Sequence, residues 1–120
     1  MAQDFERAVA YDSAGDVDIA ADTARTIFTS DSDDAIVGIR LANVHASDAI
    51  TADVFITSTA SGGSDDSYII KNANIPYGSS LELIDGGAKI ILQSGDVLKV
   101  SCDTASALNV WVSYVDAISS

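Results

Sequence analysis

The chain has 120 residues, a formal net charge of −12 and a hydrophobic fraction of 48%, with a mean hydropathy of +0.23. That is one domain's length, enough to bury about two-thirds of its extended surface, and too apolar for intrinsic disorder. Three Lys and three Arg against eighteen acidic residues exclude binding to nucleic acid or to an anionic membrane, since the net field repels phosphate.

Sixteen Asp stand against two Glu, and there are sixteen Ser. These short side chains bond nearby backbone and favour turns, whereas a helical surface prefers Glu and Lys. Val, Ile and Thr make up thirty residues, and branched side chains suit a pleated surface. Composition therefore predicts an all-β protein.

In chain order, residues 5–11 form a weakly alternating segment, residues 12–16 a loop, and residues 17–21 and 26–29 short strands. At most one helical turn fits, at residues 20–24. After the acidic turn 31–34, residues 36–43 alternate, with Val37, Ile39 and Leu41 on one face and Gly38 and Arg40 on the other. A turn at residues 45–48 leads to residues 50–57, where Ile50, Ala52, Val54 and Ile56 share a face. These two strands are expected to pair with each other.

Residues 58–67 are rich in Ser, Gly, Asp and Thr and read as an exposed loop. A strand over 68–75 then meets a turn with Pro76 at its second position. Residues 80–84 alternate, and Asp85-Gly86-Gly87 signals a hairpin into 89–92. Gln93-Ser94-Gly95-Asp96 is a second such signal, feeding 97–102 with Leu98, Val100 and Cys102 inward. After a loop at 103–107 the last strand covers 108–115. Eight or nine short strands with turns every eight to twelve residues predict one antiparallel β-sandwich over residues 1–120, jelly-roll-like.

Catalytic chemistry finds no foothold. The single histidine, His45, lies beside Ser47 and Asp48, too close in sequence for nucleophile, base and orienter to come from separate elements. One Cys and one His cannot build a transition-metal site, and Cys102 reads as a buried strand residue. Asp31-x-Asp33 opens like a calcium loop, but Ala35, Ile36 and Ala42 fill the positions that need a ligand, a glycine and a carboxylate. Carboxylate pairs at Asp31, Asp33 and Asp34, or at Asp65 and Asp66, are the remaining metal candidates, with solvated turns as the default reading. No cofactor is expected, and the chain is not expected to be an enzyme.

The last strand is apolar on both faces, with Leu108, Val110, Val112 and Tyr114 on one and Trp111 and Val115 on the other. A strand apolar on both faces needs a cover on each, which predicts a homo-oligomer. Phe5 and Arg7 lie on residues 1–11, a segment placed to pair with a neighbour's open sheet edge. The interface candidates are accordingly Phe5, Arg7, Trp111 and Val115.

Met-Ala-Gln-Asp-Phe-Glu-Arg at residues 1–7, Asp-Ala-Ile-Val-Gly-Ile-Arg-Leu-Ala-Asn at 34–43, and residues 75–100 from Ile75-Pro76-Tyr77-Gly78-Ser79 through Asp85-Gly86-Gly87 to Gln93-Ser94-Gly95-Asp96 resemble small virion structural proteins of tailed phages, especially marine ones. The resemblance implies a non-enzymatic subunit in many copies on the particle, as a capsid decoration or a neck or tail component. Its partners would be copies of itself and other virion proteins, with no nucleic acid and no membrane. No leader is visible at residues 1–7, so synthesis is expected in the host cytoplasm and residence in the virion. The alternative within that resemblance is a host-surface glycan-binding module of a phage fibre or tail, using residues 58–67 with Tyr68 or Tyr77.

Overall fold

The computed structural model describes residues 4–10, 24–58, 65–84, 89–104 and 107–116. Nine strands are present among them: β1 (Asp4–Ala10), β2 (Arg25–Thr29), β3 (Asp34–Asn43), β4 (Ile50–Ser58), β5 (Asp65–Ile75), β6 (Ser80–Glu82), β7 (Ile90–Leu92), β8 (Val97–Cys102) and β9 (Leu108–Asp116). No helix of the described residues is long and apolar enough to cross a membrane. The predicted loop 12–16, strand 17–21, most of the helical turn at 20–24 and the Asp85-Gly86-Gly87 turn fall outside the described residues.

Two antiparallel sheets face each other, one ordered β1-β9-β3-β6 with β7 also on β3, the other β2-β8-β4-β5. β6 pairs with residues 40–42 of β3 and β7 with residues 34–36, so they are one edge strand interrupted between Leu83 and Lys89. Counted that way, eight strands in these two orders make a jelly roll, and the expected all-β sandwich is the observed fold.

The core lies between the sheets. Ile36, Ile39, Leu41, Val110 and Val112 from the first meet Ile50, Val54, Leu98, Val100 and Cys102 from the second. The two-residue period carries these assignments, with one exception. Val37 has no register partner on β9, because Ile36 pairs with Tyr114 and Gly38 with Ser113. The extra residue of this bulge turns Ile36 into the core beside Ile39 and Leu41, and Val37 is only half-buried.

Several expected pairings are corrected. β3 and β4 do not pair: β3 bonds β9, β6 and β7, while β4 bonds β5 and β8 in the opposite sheet. β6 and β7 are not a hairpin, and the turn after β7 carries the chain across to the other sheet rather than back along its own. That turn has Gly95 at φ 95° with Asp96 N–H donating to Gln93 C=O at 2.9 Å, a type II arrangement that needs glycine at its third position. The proline turn is shifted by one residue. Ser79 N–H donates to Pro76 C=O and Gly78 has φ 75°, so Pro76 is its first position and not its second. Of the loop expected at 58–67, residues 59–64 lie outside the described residues, and Ser58 and residues 65–67 belong to paired strands.

Candidate functional site

Alternation along β9 sends Val110, Val112 and Tyr114 into the core and Trp111, Ser113 and Val115 to the outer face of the first sheet. Register then builds rows across that face. Trp111 stands between Val9 and Arg40, with Glu82 beyond; Ser113 stands between Arg7 and Gly38; Val115 stands between Phe5 and Ala35, with Ile91 beyond. The four interface candidates Phe5, Arg7, Trp111 and Val115 therefore all register to one face, Phe5 being placed by its backbone pairing.

Trp111 is 51% exposed and Ile91 53% exposed. The Arg7 guanidinium lies 5.6 Å from the centre of the Trp111 ring, a cation–π geometry worth about 0.5–1 kcal/mol at an exposed position. Arg40 Nε meets Glu82 Oε1 at 3.2 Å, with both side chains largely in solvent, so this pair orients the guanidinium more than it stabilises the fold. Gly38, Arg40, Glu82, Trp111 and Ser113 line a hollow of about 410 Å³. A Cβ on Gly38 would meet only Ser113 Cβ, at 4.0 Å; the hollow exists because its floor is a glycine and a serine. Arg40, Glu82, Gly38 and Ile91 were not among the interface candidates. The alternation of β3 hinted at Arg40, but its place beside Trp111 follows from the β3–β9 pairing.

Residues 4–10, offered by the sequence as an arm for a neighbour, pair along β9 of the same chain. Tyr114 faces the other way from Trp111, as expected, and stacks on Phe28 of β2 at 4.4 Å, closing one end of the core between the sheets.

A second cluster lies where β9 ends. The carboxylates of Asp31, Asp34 and Asp116 come within 4.8 Å of one another, and Asp34 is only 1% exposed. Ser30 Oγ donates to Asp34 Oδ2 at 2.8 Å, and Ser32 Oγ lies 3.0 Å from Asp34 Oδ1 and 3.3 Å from Asp116 Oδ1. The Asp116 carboxyl is pushed above its ordinary range, first by the hydrogen bond it shares with Asp34, then by burial and the surrounding negative charge. Burial, then Glu6 and Asp116, raise the Tyr114 phenol. Three carboxylates suit a hard cation such as calcium, but here the Ser30 and Ser32 hydroxyls already lie within hydrogen-bonding reach of the Asp34 and Asp116 oxygens. Asp33, expected in the set, is not in it; Asp116, from the far end of the chain, is.

The remaining candidates have structural roles. His45 Nδ1 accepts the backbone N–H groups of Ser47 and Asp48 at 3.2 and 3.0 Å, holding its own turn. Asp66 Oδ1 accepts from Thr57 Oγ1 at 2.8 Å across the β4–β5 pair. Cys102 is buried, and burial raises its thiol pKa.

No protein-family model matches this chain, and no curated protein does. Among solved structures, a chain of the Bacillus endospore appendages, described as a novel family of disulfide-linked pili, aligns with a TM-score of 0.48 at 16% identity, over 95% of this chain and 84% of that one. A likeness of that degree transfers no function. The neighbour is a bacterial appendage and not a phage protein; the phage virion subunit expected from the sequence and its glycan-binding alternative, which neither the family models nor the curated proteins support, are set aside.

Proposed function

We propose that this chain is a non-catalytic structural subunit that self-associates through the outer face of the β1-β9-β3 sheet. The observation that carries the reading is Trp111, half exposed in the second strand of a sheet with paired strands on both sides. Among the described residues, the Arg7 guanidinium is the group that lies over this indole. Burying the exposed half of such a ring, on the order of 100 Å², stabilises association by about 2–3 kcal/mol. Ile91 and Val115 extend the apolar surface along the same face. Charge supports the same choice of face, because Arg7 and Arg40 are two of only six cationic residues in a chain of net charge −12, and copies of an acidic chain repel except where such groups gather.

Sedimentation velocity of the purified chain across a concentration series tests this reading. The unaltered chain is expected to form multimers, and Trp111→Ser to remain monomeric with unchanged β-sheet circular dichroism. An unaltered chain that stays monomeric throughout overturns the proposal.

A further inference from the structure

We propose, resting on the self-association above, that the occupant of the Trp111 hollow is the acidic end of the β4–β5 hairpin of a second copy, so that the contact is head-to-tail. Two observations converge on this pairing.

The first is that the β5 edge of the hairpin end is exposed. Along β5 the burial alternates only near its end, where Ala73 and Ile75 are buried; Asp65, Asp66, Ser67 and Tyr68 are all exposed. Ser67 pairs with Ile56, on the side of the strand that faces the core, yet Ser67 remains in solvent. Ile56 itself packs on the core, so it is the β5 edge of the hairpin end, residues 65–68, that stands in solvent.

The second is complementarity. The hairpin end offers two exposed acidic residues, Asp65 and Asp66. The hollow offers the Arg7 and Arg40 guanidinium groups on either side of the Trp111 ring. Guanidinium and carboxylate pair through charge-assisted hydrogen bonds. β4 and β5 belong to the sheet on the far side of the core from this outer face, so the hairpin cannot reach the hollow of its own chain. The contact joins two different patches, which generates a ring if the rotation closes and a filament if it does not.

The test uses one variant dead at each patch: Asp65→Lys with Asp66→Lys for the hairpin, and Trp111→Ser for the hollow. Replacing two aspartates by lysines takes the net charge from −12 to −8, by two charges at each position, so general repulsion falls and a loss of association reports a specific contact. Each variant alone is expected to bind itself at least about tenfold more weakly than the unaltered chain, whereas an equimolar mixture forms dimers and nothing larger, each dimer using the one live patch of either partner. Raising salt from about 0.05 to about 0.5 M is expected to weaken the unaltered assembly, since the ion pairs are screened. If the hairpin variant assembles like the unaltered chain, or if the mixture stays monomeric while each variant alone is monomeric, the head-to-tail contact is wrong and self-association through Trp111 still stands. If the unaltered chain never associates, both fall together.

Discussion

Each sheet carries an aromatic side chain on the outer face of an inner strand, and the two have opposite fates. Phe55 on β4 is 6% exposed, whereas Trp111 on β9 is 51% exposed. The difference lies in the neighbours that register supplies. Phe55 pairs with Lys99 on one side and Tyr68 on the other; the Tyr68 ring packs at 5.0 Å and Lys71 lies over that ring at 4.3 Å. The bulges of β5 opposite residues 52–55, with Asn72 at φ 56° and its N–H bonded to Asp53 Oδ1 at 2.6 Å, set Lys71 and Tyr68 as a lid. Around Trp111 the partner on β3 is Arg40, which is drawn to Glu82, and the next residues along the face, Gly38 and Ser113, have little or nothing to fold over the ring. The exposure of an aromatic residue on a sheet is thus a property of the strands beside it.

This contrast can be broken from either side. The largest expected effect is Phe55→Ala, which empties a covered site and should cost about 3–5 kcal/mol of stability in urea unfolding. Tyr68→Ala removes the lid and leaves the ring below it, and should cost about 1–2 kcal/mol. Trp111→Ser should change stability by less than about 1 kcal/mol, even though it abolishes self-association; a loss as large as that of Phe55→Ala would show the indole to be part of the fold. Gly38→Leu sharpens the comparison by giving Trp111 the cover that Phe55 has. Its Cβ meets no hard contact, so the variant should fold with unchanged or slightly raised stability and associate several-fold more weakly.

The smallest effect concerns the corner where β9 ends. The Asp116 carboxyl titrates above the ordinary value of 3.8 because it shares a hydrogen bond with Asp34. The folded state therefore holds this proton more tightly than the unfolded chain does. Its stabilising contribution is complete below the unfolded pKa and disappears as pH rises through the folded one. Thermal melts of the unaltered chain and of Asp116→Asn, compared from about that value up to neutrality, should converge in their pH dependence except for this one component, which the variant lacks.

Strand positions were legible because side-chain alternation is a local signal. The inward set Leu98, Val100 and Cys102 and the opposed directions of Trp111 and Tyr114 follow from the two-residue period alone. The displaced Val37 shows the limit of that signal, since a bulge is a property of two strands and only one of them lies in the local sequence. The acidic cluster shows it again: residues 31–34 announced themselves, but Asp116 joined them only because β9 lies against β3.

What the residues alone determined is an acidic, all-β chain with one core and four interface candidates, Phe5, Arg7, Trp111 and Val115; that these share a face came from the β1–β9 pairing. What the tertiary structure decided is which strands are neighbours. From β2 to β4, and again from β7 to β9, each connection crosses from one sheet to the other, so nearness in sequence misled wherever it stood in for pairing. Alternation says which way a side chain points, while the partner across the ladder is chosen by burial of the whole core. That choice put Gly38 of β3 next to the tryptophan's row and left half of the ring in solvent.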